Sequence, residues 1–143
     1  MRAMKCARVF AAWTLAISAP HMAGAEQAPL TGVFHGQGRA CFGGLFVRTQ
    51  TIEWTSSFSK CGPTRYVILD QALTGEHPRI AYQLEKRSRQ CRNVVIELMH
   101  YEGNVWDVKG YPSVESYQKR DLPDWKNSVL PDRAVTSCGM FKQ

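Results

Sequence analysis

Residues 31–54 read "TGVFHGQGRACFGGLFVRTQTIEW", and the fold turns on their centre, "GQGRACFGG" at 36–44. Four glycines with an arginine and a cysteine among them suit either a phosphate-cradling loop or a glycine-relieved strand and turn. A phosphate loop needs a strand before it and a helix after it, so that the helix N-terminus meets the anion. Here "LFVRTQTIEW" follows, rich in the β-branched and aromatic residues that favour strands. The glycines at 36, 38, 43 and 44 match neither G-x-G-x-x-G nor a P-loop, which also wants a lysine. The glycines are therefore read as structural, with Gly43-Gly44 as a turn between two alternating runs.

Alternation then organises the rest. Phe34, Gly36, Gly38, Ala40 and Phe42 share one parity of the first run, and Phe46, Ile52 and Trp54 one parity of the second. Further strands are expected at Thr64–Gln71, Pro78–Lys86, Cys91–Tyr101 and Asn104–Gly110, with the turn "YEGN" between the last two. "SVESYQKR" from Ser113 follows Pro112, begins with an N-cap residue and predicts one short helix. The tail "RAVTSCGMF" reads as a last strand. Six to eight short, hairpin-linked strands predict an all-β fold, a small antiparallel meander barrel of lipocalin-like type with one short helix after the last long hairpin. Closure would remove exposed sheet edges. Trp54, Tyr66, Tyr82, Trp106, Tyr111 and Tyr117 are candidates to line the barrel interior, with Trp54, Tyr82 and Trp106 the principal core or cavity aromatics. Tyr111 and Tyr117 have a second possible role, packing the helix on the sheet.

Residues 1–25 have the three parts of a secretory signal peptide. Arg2, Lys5 and Arg8 form a basic start, Val9 to Ala19 an apolar run, and "AGA" at 23–25 a small-residue cleavage site. The run is too short to span a bilayer, which takes about 20 apolar residues. The expectation is a leader over 1–25 and a single β-barrel domain over 26–143, periplasmic or secreted and acting as a monomer. Without the three leader cations, 15 Lys/Arg face 12 Asp/Glu, a net of +3. That is solubility charge and not a nucleic-acid footprint.

Cys6 lies in the leader, leaving Cys41, Cys61, Cys91 and Cys138, an even set that reads as two disulfides in an exported chain. Of three connectivities, Cys41–Cys61 and Cys91–Cys138 is the expected one: the first pair brackets a hairpin-like unit and the second ties down the tail. Each bridge would contribute roughly 3–4 kcal/mol in the chain-entropy model. A metal site is disfavoured, because it wants close Cys/His pairs and no two of these cysteines are nearer than 20 positions. No cofactor is implied.

The residues offer little catalytic chemistry. His77 sits in the turn-like "GEHP", His100 at a strand end and His35 on a polar strand face; no G-x-S-x-G elbow exists. Glu97 with Glu102 or Asp107 would oppose acids across a hairpin, a pairing compatible with glycoside hydrolysis but commoner in ion pairs. The most local feature is "EKRSRQCRN", which puts Lys86, Arg87, Arg89 and Arg92 around one expected hairpin tip. Arginine forks bind carboxylate or phosphate, so a protein or an anionic envelope polymer is the expected partner. Charged turns also keep sheet edges apart, and that is the competing role.

With its glycine-relieved first hairpin, disulfide-type cysteines and later hairpins, the chain loosely resembles periplasmic inhibitors of c-type lysozyme and lipocalin-like barrels. The resemblance covers about residues 30–110 and carries no functional residue over; the residues themselves point to a protein that binds and does not catalyse, with enzyme inhibition of the lysozyme-inhibitor type or small-ligand carriage of the lipocalin type as the alternatives. The inhibitors' Ser/Gly/Ala/Lys/Tyr loop has its nearest counterpart in "GQGRACF", which lacks the serine and the lysine.

Overall fold

A computed structural model describes residues 30–127 and 134–143. The leader expected over residues 1–25 lies outside them. Strands run over β1 (Gly32–Gly36), β2 (Gly43–Val47), β3 (Thr51–Thr55), β4 (Lys60–Ala72), β5 (Arg79–Leu84), β6 (Val95–Glu102), β7 (Val105–Tyr111) and β8 (Thr136–Lys142). A helix, α1 (Val114–Lys119), and a 3-10 turn (Pro123–Asn127) lie between β7 and β8. Every strand pairs antiparallel with its sequence neighbour, and β8 returns to β1 through Phe34↔Lys142, His35↔Phe141 and Gly36↔Met140. The meander is thus a closed eight-stranded barrel without an open edge.

Eight strands leave an interior that side chains just fill. Phe34, Leu45, Val47, Ile52, Trp54, Tyr82, Ile96, Leu98, Val108 and Met140 occupy it, none more than 3% exposed. Trp54, Tyr82 and Trp106 all belong to this core. Trp106 meets Phe34 edge-on at 5.7 Å and Tyr82 meets Tyr66 at 4.7 Å. Tyr111 and Tyr117 are elsewhere. They pack edge-on at 5.3 Å in a second, smaller core with Ala81 and Val95, between the outer wall of the barrel and α1. The helix begins where the sequence puts it: the Ser113 side chain accepts from the Ser116 backbone N–H at 2.9 Å.

Three expectations are corrected. The alternation through Phe42 stops at Gly36, because the chain turns at Gly38, whose φ is 86°. The Phe42 backbone N–H closes this turn on Gly38 O at 2.9 Å and leaves the Phe42 ring 75% exposed. Gly43-Gly44 is accordingly not the turn but the start of β2. Gly43 has φ 144° and lies so close to β3 that a Cβ would stand 1.9 Å from Thr55 O. The real reversal after β2 falls at 48–51, where Arg48 N–H meets Thr51 O at 2.8 Å. That hairpin pairs Leu45 with Trp54 and Val47 with Ile52, so all four point inward, whereas one continuous strand would have split them.

The disulfides join Cys41 to Cys138 and Cys61 to Cys91, not Cys41 to Cys61 and Cys91 to Cys138. Barrel closure is the cause of the first. Once β8 lies against β1, Cys138 stands beside the β1–β2 loop, with a Cα–Cα distance of 5.6 Å. The second follows from the length of β4. β5 pairs only with the later part of β4, from Tyr66 to Ala72, and the connection 85–94 then runs along the earlier part. Glu85 N–H reaches Arg65 O and Lys60 N–H reaches Gln90 O, which carries Cys91 to Cys61.

Candidate functional site

One end of the barrel is built by the loops 37–42 and 56–59 and by the strap 85–94. Polar contacts tie them into one surface. Ser57 Oγ donates to Arg39 O at 2.6 Å, joining the first two. Arg92 N–H donates to Ser59 Oγ at 3.0 Å and Ser88 Oγ to Lys60 O at 3.0 Å, joining the second to the strap. Lys86 N–H donates to Thr64 Oγ1 at 3.1 Å and holds the start of the strap against β4.

Lys86, Arg87, Arg89 and Arg92 are all exposed on this strap. The strap is the long β5–β6 connection and reverses at 88–91, where Cys91 N–H meets Ser88 O at 3.1 Å. Because the strap lies along β4, the four divide between two grooves. Lys86 and Arg87 line one of about 590 Å³, whose floor includes Gly62, Pro63 and Thr64. Arg89 and Arg92 line another of about 400 Å³, together with Lys60 and Phe58. Arg39 is exposed on the neighbouring loop and Lys60 beside the second groove. Among the described residues none of these six cations makes an ion pair, and the nearby Glu85 is engaged by Arg65 at 3.8 Å.

The sequence reading missed Arg39, Lys60, Phe42 and Phe58. Parity groups Phe42 with Phe34. Phe58 stands 62% exposed in "SSFSK", a serine-bracketed turn in which no alternating partner exists. A phenylalanine stranded among turn residues, with a cation two positions on, was the available signal.

A second cluster lies under α1. Glu97, on the outer face of β6, is buried; it accepts from Tyr111 O–H at 2.7 Å and from Arg120 Nε at 3.3 Å. Arg120 Nη1 also donates to Tyr117 O at 2.8 Å, and its guanidinium lies 3.9 Å from the Tyr117 ring centre. Asp70 is shared by Arg79 at 3.1 Å and by Tyr117 O–H at 3.3 Å. Burial pushes the Tyr111 hydroxyl well above its ordinary range, and the adjoining Glu97 carboxylate adds to this. Both Glu97 oxygens have partners, so the cluster fastens the helix to the barrel.

The acid pair considered across the β6–β7 hairpin does not assemble. The register sets Glu97 opposite Lys109, Met99 opposite Asp107 and Glu102 opposite Val105. Asp107 instead meets Lys109 at 3.2 Å and Ser137 Oγ at 3.1 Å. The histidines are scattered: His35 is exposed on β1, His77 Nδ1 lies 3.2 Å from His100 O, and His100 Nε2 lies 2.9 Å from Gly103 O. Among the described residues no three His, Cys, Asp or Glu side chains gather as a metal site, and no helix is long and apolar enough to cross a membrane. Two disulfides in one small domain indicate an oxidising compartment. No family model, curated protein or solved structure matches the chain.

Proposed function

We propose that the protein is an exported, non-catalytic binding protein that engages an anionic partner through the cationic end of its barrel. The observation that carries this reading is a set of six exposed cations unpaired among the described residues: Arg39, Lys60, Arg89 and Arg92 at one end of the barrel, and Lys86 and Arg87 farther along the same strap. Unpaired cations repel one another, and the one acid on the strap, Glu85, is engaged by Arg65. A clustered field of one sign raises the local concentration of counter-ions and speeds encounter with an anion. The guanidinium forks then have carboxylate or phosphate geometry to match. The signal peptide pattern and the disulfides support action in the periplasm or outside the cell.

The test is retention on a sulfated-polysaccharide column against a salt gradient. The triple variant Arg87→Ala/Arg89→Ala/Arg92→Ala should elute at clearly lower salt, because each lost contact removes about one released counter-ion from the salt slope. Elution at the wild-type position would sink the proposal.

Carriage of a small ligand is the second reading. It is favoured by a groove of about 590 Å³ at the other mouth, lined by Leu30, Leu73, His100, Trp106 and Lys142. The filled interior confines such a ligand to the mouth. Inhibition of a basic lysozyme has less support, since a cationic surface slows encounter with a like-charged target.

A further inference from the structure

We infer that the anionic partner is a lipid surface, on which the cations meet phosphate headgroups while Phe42 and Phe58 enter the acyl boundary between them. This rests on the cationic reading above and adds the partner's chemistry to it. Phe42 and Phe58 are the two large apolar side chains exposed on the cation-bearing loops, at 75% and 62%. A soluble polyanion would meet the cations and leave both rings in water. An anionic lipid surface takes both kinds of group at once: basic residues at the headgroups and phenyl rings just below them.

The rings are also held outward. Phe42 sits between Cys41, bonded to Cys138, and Gly43, pressed on Thr55 O. Its own N–H is spent on Gly38 O. Phe58 is bracketed by Ser56 and Ser59, whose backbones are bonded at 2.9 Å. The Ser57–Arg39 contact ties the loop bearing Phe42 and Arg39 to the loop bearing Phe58, and Phe58 shares a groove with Lys60, Arg89 and Arg92. The rings need little reordering to insert, which favours docking.

Flotation of the disulfide-bonded protein with phosphatidylcholine vesicles, with and without phosphatidylglycerol, tests this. Wild type should float only with the anionic vesicles. Phe42→Ser/Phe58→Ser should lower the partition coefficient roughly tenfold or more. Lys60→Gln/Arg89→Gln/Arg92→Gln should lower it roughly a hundredfold, at about fivefold per cation. All five positions are exposed, and near-ultraviolet circular dichroism checks that the variants keep the fold. A parallel measurement uses soluble polyphosphate. Binding to polyphosphate without flotation overturns the lipid assignment and leaves the cationic reading standing. Binding to neither overturns both. Flotation unchanged by loss of the two phenyl rings refutes insertion. Retention of a single envelope protein at high salt, with no flotation, makes the occupant a protein and refutes the inference.

Discussion

Replacing Arg120 with alanine tests the account of how α1 is fastened. The Arg120 side chain is 15% exposed and that of Glu97 9%, so the pair at 3.3 Å is mostly shielded from water. Removing one partner of a fully buried pair costs about 3–5 kcal/mol, because the remaining charge is left without a counter-ion. Glu97 keeps the Tyr111 hydroxyl at 2.7 Å, which places the cost at the low end, about 3 kcal/mol. Loss of the stacking on Tyr117 at 3.9 Å adds about 1 kcal/mol. Arg120→Ala should therefore destabilise the oxidised protein by about 3–4 kcal/mol in urea, with an unchanged m-value. A double-mutant cycle with Glu97→Gln isolates the pair. Once residue 97 is neutral, the same truncation should cost about 2 kcal/mol less. A coupling energy below about 0.5 kcal/mol would refute the reasoning and make Arg120 a surface residue in energetic terms.

The Cys41–Cys138 bridge spans 97 residues and Cys61–Cys91 spans 30, so the paired Cys→Ser variants should lose about 5 and about 4 kcal/mol respectively by chemical denaturation. A non-reducing peptide map should return these two pairs. Cys61→Ser/Cys91→Ser should also weaken anion binding without changing any charge, measured as a lower eluting salt. Burial raises the hydroxyls of Tyr82, Tyr111 and Tyr117, the last to about 12, so these groups hold their protons in the folded state while the unfolded chain loses them from about pH 10. The unfolded state then binds fewer protons, and stability should be full below pH 10 and fall as pH rises above it. The fall is about 1.4 kcal/mol per pH unit for each tyrosine that ionises only on unfolding. Stability that stays flat from pH 9 to pH 12 would contradict this; phenolate absorbance monitors the ionisation. Gly43→Ala combines a positive φ with a Cβ 1.9 Å from Thr55 O and should cost more than about 2 kcal/mol. Gly38→Ala, with positive φ but open space, should cost only about 1 kcal/mol by thermal unfolding.

Local chemistry was legible and long-range chemistry was not. The β6–β7 hairpin shows in its apolar runs and in "YEGN", and α1 shows in Pro112, Ser113 and the tyrosines, because each is decided within a few residues. Parity alone put Phe42 beside Phe34, since alternation gives no sign of where a strand ends. The positive φ at Gly38 decides that, and a glycine permits it without announcing it. The disulfide partners depend on which strands become neighbours after closure. Cys138 reaches Cys41 only because β8 pairs with β1, and nothing in the spacing of the cysteines encodes that pairing. The same holds for Arg120 and Glu97, which are 23 positions apart with a hairpin and a helix between them. The basic strap was visible as composition, but its course along β4 was not. That course divides its cations between two grooves and adds Lys60 and Phe58 to them.

The placement of the cysteines bears on why this end of the barrel carries the proposed function. A closed ladder commits the strands to one another, so surface variety is left to the connections. Loops are ordinarily the least ordered parts of a domain, and ordering them on binding costs affinity. Three of the four bridging cysteines adjoin residues of the cationic face: Cys41 precedes Phe42, Cys61 follows Lys60, and Cys91 precedes Arg92. The bridges thus anchor the loop bearing one exposed ring, the start of β4 and the strap bearing four cations. Among the described residues no bridge anchors the turns at the other end, at 48–50, 73–78 and 103–104. If the disulfides served only to close the barrel, the ladder between β8 and β1 would have done so without Cys61–Cys91, which crosses no seam. Their common position is better explained by a face whose cations and phenyl rings must be held in place before the partner arrives.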